Sequence, residues 1–167
     1  MLLVLALLLT SSADAGALLS AVLTGTVVYV VDGDTIHVRL GDRVEKVRYI
    51  GIDAPEIPRP AAGDARGRRR RGSPFFSHTP EAGDAARGVN VALVTGREVR
   101  LELDRQQRDD YQRLLAYVWV GDTMINAEMV RRGYAEAMSI PPDFRHRALL
   151  LHLEREAREA GRGLWRR

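Results

Sequence analysis

Apolar and polar residues follow one another along this chain in patterns that predict five strands and three helices. Strict alternation from Thr35 to Leu40 is typical of a half-buried strand. Alternating or continuously apolar runs predict the other strands. The full set is residues 26–31, 35–40, 44–52, 97–103 and 114–120. Turn signals of glycine with aspartate separate neighbouring strands at Asp32-Gly33 and Gly41-Asp42, and a third, Gly121-Asp122, follows the last strand.

Helical spacing of apolar residues predicts the three helices. The first has Thr79 as its cap and Pro80 as its first residue, and it ends at Gly96. A short second helix is capped by Asn126 and closed by Gly133. The last helix is opened by Pro141-Pro142-Asp143, and its predicted apolar stripe consists of Leu149, Leu150, Leu153, Ala157 and Ala160.

The order of these elements predicts the fold class. It runs three strands, one helix, two strands and two helices, which is a mainly β type of α+β protein. Five short strands suit a closed barrel of the oligonucleotide-binding (OB-fold) type, with the three helices packed on its outside. The periodicity does not establish by itself that the sheet closes.

The first residues predict export. Residues 1–15 combine an apolar run with a small-x-small cleavage site, as in a signal peptide, although the segment before the apolar run carries no positive charge. We therefore expect a linker at 16–23, a domain at 24–165, and a secreted or periplasmic protein. The apolar run is too short to span a bilayer, so no stable membrane span is expected. An uncleaved tether is the alternative, and a monomer is the default expectation.

The charge of the chain is positive and consists almost wholly of arginine. Net charge is +3, and Lys46 is the only lysine. A basic domain favours polyanionic partners without identifying them. The absence of cysteine excludes disulfides, thiolate metal sites and a cysteine nucleophile. Residues 57–78 form a predicted loop that contains a cluster of five arginines, Arg66 and Arg68 to Arg71. This loop is either a solvated linker or a basic flap that gathers phosphates.

Three short segments concentrate carboxylates and guanidinium groups. They are Asp32-Gly33-Asp34-Thr35, the residues Arg48, Asp53 and Glu56, and the run Asp109-Asp110-Tyr111-Gln112-Arg113. Each alone is most simply a turn or a surface segment. Together they provide what phosphodiester hydrolysis requires: carboxylates for a divalent ion, arginines for the charge on phosphorus, and a general base. All-oxygen ligands select calcium or magnesium over zinc, and two carboxylates with waters favour calcium.

One geometric requirement follows from the spacing of Arg48 and Asp53. Five residues of straight strand span about 16 Å, so the two side chains serve one phosphate only if the strand bends. Gly51 is a plausible position for that bend.

Four motifs in this order resemble the thermonuclease, or staphylococcal nuclease-like, family. They read VVDGDTIHV, VRYIGIDAPE, DDYQRLLAYVWV and AREAGRGLW. The resemblance covers residues 24–165. It implies a five-stranded OB-fold barrel with three helices, and calcium-dependent endonuclease action on DNA and RNA that leaves 3′-phosphorylated ends.

The resemblance also implies roles for individual residues. Asp34, Asp53 and the backbone carbonyl of Ala54 resemble the calcium ligands. Asp32 resembles an acid that supports these ligands and does not itself bind the ion. Glu56 resembles the general base. Arg48 and Arg113 resemble the pair that binds the phosphate and stabilises the transition state, and Tyr111 is expected beside the phosphate or the base pocket.

One departure from the family pattern bears on the site. Glycine commonly stands between the tyrosine and the arginine, where this chain has Gln112. If that position requires a positive φ, glutamine is strained there and Arg113 is displaced. This residue keeps open a second hypothesis, a non-catalytic OB-fold module that binds nucleic acid or protein without cleaving it.

Overall fold

The computed structural model describes residues 22–57, 79–138, 142 and 145–166. Its helices and strands are, in chain order, β1 (Val22–Val30), β2 (Thr35–Leu40), β3 (Arg43–Tyr49), β4 (Ile52–Asp53), α1 (Pro80–Val94), β5 (Glu98–Glu102), β6 (Leu114–Val120), β7 (Thr123–Met124), α2 (Ile125–Arg131), β8 (Glu136–Ala137) and α3 (Arg147–Glu159). A 3-10 turn, Gly163–Trp165, follows α3.

The five long strands close into a barrel. Their order in the sheet is β3-β2-β1-β5-β6, and β3 also pairs with β6, which joins the two ends. The closing pair is parallel, with Arg48 opposite Leu115, whereas the other long pairs are antiparallel. The structure therefore confirms the predicted five-stranded barrel and supplies the closure that periodicity left open.

The alternation of apolar residues fills the interior of the barrel. Side chains from every long strand are fully or almost fully buried, among them Val27, Ile36, Val38, Val47, Tyr49, Val99, Leu101 and Val118. Burial of an aliphatic side chain of this size stabilises a fold by roughly 1.5–3 kcal/mol. The strand pattern that predicted the elements is thus the pattern that forms the core.

Helix α1 begins where its cap was predicted. The Thr79 hydroxyl accepts a hydrogen bond from the Ala82 N–H at 3.2 Å, and Pro80 is the first helical residue. Helix α2 does not begin as predicted, because Met124 occupies its N-cap position. Asn126 is instead buried, accepting from the Val118 N–H and donating to the Ile50 carbonyl, both at 2.8 Å. The hydrogen bonds of Asn126 to the Val118 N–H and the Ile50 carbonyl therefore fix its position, and its local capping signal does not.

The last helix differs from its prediction in its start and in its buried face. It begins at Arg147, after Pro142 in a turn, rather than at the predicted Pro141-Pro142-Asp143. Leu150 and Ala157 are buried as predicted, but the stripe also contains Glu154, whose carboxylate accepts from the Ala137 N–H at 3.3 Å and from Arg158 at 3.0 Å. Leu149 and Ala160 are correspondingly exposed.

The described residues fix one predicted boundary and leave others outside them. Strand β1 begins at Val22, within the last two residues of the predicted linker at 16–23. The predicted signal peptide and almost all of the basic loop lie outside the described residues. Across the described parts of the chain, no helix has the length and apolar character needed to cross a membrane.

Candidate active site

Three neighbouring strands bring the charged segments together. Thr35 of β2 lies opposite Arg48 of β3, and Arg48 lies opposite Leu115 of β6. Asp34 immediately precedes β2 and Arg113 immediately precedes β6, so both flank Arg48 at one level of the barrel. The barrel register thus converts three distant stretches of sequence into one site.

Asp34 is buried at this site with several hydrogen-bond partners. Its Oδ2 accepts from the Ala54 N–H at 2.8 Å, and its Oδ1 accepts from the Thr35 hydroxyl at 3.0 Å. The Arg48 guanidinium forms an ion pair with the same carboxylate. Asp32 supports it, since its Oδ1 accepts from the Asp34 N–H at 3.2 Å. These contacts fix the orientation of the Asp34 carboxylate.

Arg48 connects the two predicted metal ligands. Besides Asp34, its Nη2 donates to Asp53 Oδ1 at 2.7 Å and contacts the Ile52 carbonyl at 3.4 Å. Burial lowers the pKa of Arg48 and the positive charge of Arg113 lowers it further, while Asp53 opposes both effects. The two aspartates therefore lie within reach of a single guanidinium group.

The bend that this contact requires occurs at Gly51. Strand β3 ends at Tyr49, Gly51 has φ +79°, and β4 follows in a separate two-stranded sheet with β8. The predicted continuous strand 44–52 is therefore wrong in its last residues, because the chain turns there. The prediction that Gly51 is the bend is confirmed.

A compact loop positions Arg113. Asp109 Oδ2 accepts from Arg113 Nε at 2.6 Å, while Oδ1 accepts from the backbone N–H groups of Tyr111 and Arg113, both at 2.9 Å. Burial opposes ionisation of Asp109, but these hydrogen bonds and the charge of Arg113 outweigh it and lower the pKa of the carboxyl. Arg113 is close enough to Arg48 for its charge to act there.

Gln112 has the positive φ that, by the sequence analysis, strains a glutamine at this position. Its φ is +62°, and no other non-glycine residue in the described parts of the chain has a positive φ. Arg108 donates to the Gln112 carbonyl at 2.8 Å and binds both oxygens of Glu45 at 3.0 Å. The loop is thus tied to β3. Sequence reasoning missed Arg108 and Glu45, since 63 residues separate them and no motif joins them.

Glu56 and Tyr111 are the two exposed residues among those predicted for the site. Glu56 is exposed, in the segment that follows β4, and its backbone packs against α1 at Gly83. A Cβ at Gly83 would lie 2.6 Å from the Glu56 carbonyl oxygen. Tyr111 is 66% exposed, and the guanidinium carbon of Arg113 lies 5.5 Å from the centre of its ring. Both are accessible to a ligand.

A second buried amide supports the site from the helix side. Asn90 of α1 accepts from the Tyr49 hydroxyl and donates to the Asp32 carbonyl, both at 2.9 Å. This bridge holds the turn before β2 against the end of β3. An asparagine on an apolar helix face was the signal in the sequence, and the prediction did not use it.

The donor set fits a hard divalent cation that keeps several waters. In the part of the chain that the structure describes, no three His, Cys, Asp or Glu side chains form a metal-binding group. Asp34 and Asp53 both form ion pairs with the Arg48 guanidinium, so this position of the site already holds a positive charge between two carboxylates. Carboxylates supplemented by backbone carbonyls and waters are the ligands that calcium accepts.

Comparison with known proteins places this geometry in a family. Residues 46–167 match the family described as Staphylococcal nuclease homologue, which is well over half of the chain. The chain belongs to this family. The matched part contains Arg48, Asp53, Glu56 and Arg113, whereas Asp34 lies before it.

Individual relatives in the staphylococcal nuclease family extend the likeness to most of the chain. Thermonuclease of Staphylococcus intermedius is 36% identical over 140 residues, which cover 83% of this chain and 73% of that protein. Thermonuclease of Staphylococcus hyicus is 31% identical, covering 85% and 75%. The SPbeta prophage-derived endonuclease YokF of Bacillus subtilis is 31% identical, covering 81% of this chain and 41% of its own length. The family expected from the four motifs is thereby confirmed.

Proposed function

We propose that this protein is a calcium-dependent nuclease that hydrolyses phosphodiester bonds in DNA and RNA and leaves 3′-phosphorylated ends. The observation that carries the proposal is the buried Arg48, which holds Asp34 and Asp53 while the charge of Arg113 acts on it. The relatives named thermonuclease and endonuclease support the same class of reaction.

The two arginines suit a bound phosphate diester. Arg113 and Arg48 repel each other in the free protein, which contributes to the lowered pKa of Arg48. An anion between them removes that repulsion and takes bidentate hydrogen bonds from each guanidinium. The interaction strengthens as negative charge builds up on phosphorus, so it stabilises the transition state more than the ground state.

Asp34, Asp53 and the carbonyl of Ala54 are the proposed calcium ligands. Asp32 holds Asp34 in place, because its carboxylate accepts a hydrogen bond from the Asp34 backbone N–H. A calcium ion bound there supplies Lewis-acid stabilisation of the charge on the phosphate oxygens. Magnesium is less suited, since it demands near-ideal octahedral geometry.

Glu56 is the proposed general base, and Tyr111 the proposed contact beside the phosphate. Both residues are exposed to solvent, which supports these roles. A carboxylate in this role accepts a proton from the attacking water while the water oxygen bonds to phosphorus. The ester oxygen departs on the opposite side.

The decisive experiment is a cleavage assay on plasmid DNA and on RNA with calcium, with magnesium and with a chelator. We expect calcium to support cleavage of both substrates and the chelator to abolish it. Glu56→Gln should lower kcat by about 10²–10⁴-fold. The matched control Glu98→Gln changes an exposed glutamate of β5 and should leave kcat unchanged.

Two results would reject the proposal: intact DNA and RNA after incubation with calcium, or unchanged turnover in Glu56→Gln. Oligonucleotide binding without cleavage would instead support the non-catalytic module, which the strained Gln112 favours. The contacts of Asp109 and Arg108 count against that alternative, because they hold the loop in place despite the strain.

We further propose a monomer that is exported through residues 1–15 and folds from about residue 22 to 165. Sequencing the N-terminus of the protein recovered from outside the cytoplasm tests the cleavage. A mature chain that still begins at Met1 would contradict it and favour the tethered form.

A further inference from the structure

One exposed tyrosine and several partly buried basic side chains lie on the outer face of β1, β2 and β3, beside the proposed nuclease site. Tyr29 pairs with His37 across β1 and β2, and His37 pairs with Lys46 across β2 and β3. Arg87 of α1 lies next to them, with its guanidinium carbon 5.9 Å from the centre of the Tyr29 ring. We call Tyr29, His37, Lys46 and Arg87 the Tyr29 face.

The Tyr29 face is built around an aromatic ring that water can reach. Tyr29 is 54% exposed, although it lies within a long strand of the sheet. Its ring centre lies 5.7 Å from that of His37. Arg87 is fixed in turn, because its Nε donates to the Val30 carbonyl at 3.2 Å. The ring therefore lies next to His37 and Arg87, while Tyr29 remains more than half exposed.

The Tyr29 face continues the surface from which Arg48 projects. Lys46 and Arg48 are two residues apart in β3, so their side chains leave the same side of the sheet about 7 Å apart. The neighbouring strand β2 has the same two-residue spacing, with Thr35 opposite Arg48 and His37 opposite Lys46. A chain bound at Arg48 reaches the Tyr29 face by moving one step along β3.

The charges on this face are complementary to a polyanion. Arg87 places positive charge beside the Tyr29 ring, and Lys46 places it on the far side of His37. Glu45, the neighbour of Lys46 in sequence, leaves the opposite side of the strand and is bound by Arg108. A single nucleic-acid strand presents phosphates and bases in alternation, which suits cationic groups beside a stacking platform.

We propose that the Tyr29 face binds the single-stranded part of the nucleic-acid substrate that extends from the cleaved phosphate. Lys46 contacts a phosphate, and Tyr29 stacks on a base. The proposal rests on the nuclease function above. It predicts that oligonucleotides long enough to reach these residues bind more tightly than shorter ones.

Binding of a fluorescently labelled dT10 oligonucleotide, measured by anisotropy in chelator so that it stays intact, tests the stacking. Tyr29→Leu should weaken binding about tenfold, whereas Tyr29→Phe keeps the ring and should stay within about twofold of the wild type. Lys46→Gln should reduce the slope of log K against log salt by about 0.7, the value for one phosphate contact. Leu149→Ala, an exposed residue of α3, is the control and should bind normally.

The single lysine provides a second and independent measurement. Reductive methylation with formaldehyde, followed by mass spectrometry of the peptide that contains Lys46, reports on that one side-chain amine. dT10 should slow this methylation several-fold, and the dinucleotide dT2 should not, because it is too short to span from Arg48 to Tyr29. Equal methylation with and without dT10 would overturn the proposal.

The outcomes separate this proposal from the proposed function. If calcium-dependent cleavage occurs but Tyr29→Leu and Lys46→Gln bind dT10 like the wild type, the Tyr29 face is rejected and the nuclease stands. If no metal supports cleavage but both variants lose dT10 binding, the nuclease is rejected, and the Tyr29 face is retained only as a surface that binds single strands. Self-association that Tyr29→Leu abolishes would assign the face to a second copy of the chain and reject the proposal.

Discussion

Gln112 adopts a backbone conformation that glycine adopts at lower cost, and its neighbours compensate for it. A left-handed conformation costs a non-glycine residue roughly 1–2 kcal/mol. Arg108 holds the Gln112 carbonyl and is itself held by both oxygens of Glu45. We interpret Arg108 as a positioning residue, since its contacts reach Arg113 only through the loop.

Replacing Gln112 with glycine tests this interpretation. Gln112→Gly should raise the free energy of unfolding by about 0.5–1 kcal/mol, as the relief of strain exceeds the extra entropy of glycine in the unfolded chain. Arg108→Met should lower kcat about tenfold in the wild-type background and much less in the Gln112→Gly background, because a relaxed loop needs less support. Urea unfolding and initial rates measure the two effects.

The control for that pair is Arg97→Met, which removes an exposed arginine outside the loop. It should lower the rate equally little in both backgrounds. A loss of activity in Arg108→Met that Gln112→Gly leaves unchanged would contradict a role for Arg108 through the loop.

The lowered pKa of Asp109 predicts a pH dependence. Its folded-state pKa lies below the unfolded value of about 3.9, so its contribution to stability is fully present above that value and is lost as pH falls through the folded-state pKa. The difference in unfolding free energy between the wild type and Asp109→Asn should therefore be constant above about pH 5 and shrink below about pH 4. A difference that persists undiminished well below the folded-state pKa would show that the carboxylate charge is not its source.

At the scale of elements, α1 carries two interior glycines with different surroundings. A Cβ at Gly83 would meet the Glu56 carbonyl oxygen at 2.6 Å and the Ile57 nitrogen at 3.0 Å, both of them backbone atoms. A Cβ at Gly88 would meet nothing within 4 Å. From sequence alone, a glycine inside a helix indicates only a lower helix propensity. The structure shows that Gly83 lets α1 approach the segment that carries Glu56.

This difference predicts opposite outcomes for two alanine substitutions in one helix. Gly88→Ala should stabilise the protein by about 1 kcal/mol, the difference in helix propensity, and leave kcat unchanged. Gly83→Ala should displace the Glu56 backbone and lower kcat by at least about tenfold, whatever its effect on stability. Thermal unfolding and cleavage rates of the two variants provide the comparison. A fully active Gly83→Ala protein would show that the position of Glu56 tolerates the shift.

At the scale of the whole molecule, barrel closure creates the site. Asp34 precedes β2 and Asp53 belongs to β4, so the two carboxylates share one guanidinium only when β3 has paired and the chain has bent at Gly51. An unfolded chain holds them apart. A cation that uses both should therefore bind the folded state alone and stabilise it by mass action.

Calcium should accordingly raise the unfolding temperature. At a hundredfold excess over its Kd, one bound ion adds about 2.7 kcal/mol to the unfolding free energy. Asp53→Asn should remove most of this gain, whereas Asp122→Asn, in the exposed turn between β6 and β7, should keep it. Calorimetry at increasing calcium concentration gives both values. An equal gain in Asp53→Asn would place the ion elsewhere on the protein.

The sequence alone determined the elements whose signals are local. Strand alternation located Thr35–Leu40 to the residue, and a continuous apolar run did the same for Leu114–Val120. The threonine-proline pair located the start of α1. Four motifs indicated the family, and one departure from them pointed to Gln112. Neighbouring residues along a chain set backbone preference and the side that each side chain faces, so these features can be read without a fold.

Only the tertiary structure decided which residues meet. The Arg108–Glu45 pair, the bridge from Asn126 to Ile50 and the fit of Gly83 against Glu56 join positions far apart in the chain. Asn126 carried a capping signal, yet it is buried, because an unpaired backbone group in the interior costs more than a helix cap stabilises. Such contacts depend on the register of the closed barrel and on the bend at Gly51, and no local pattern specifies either.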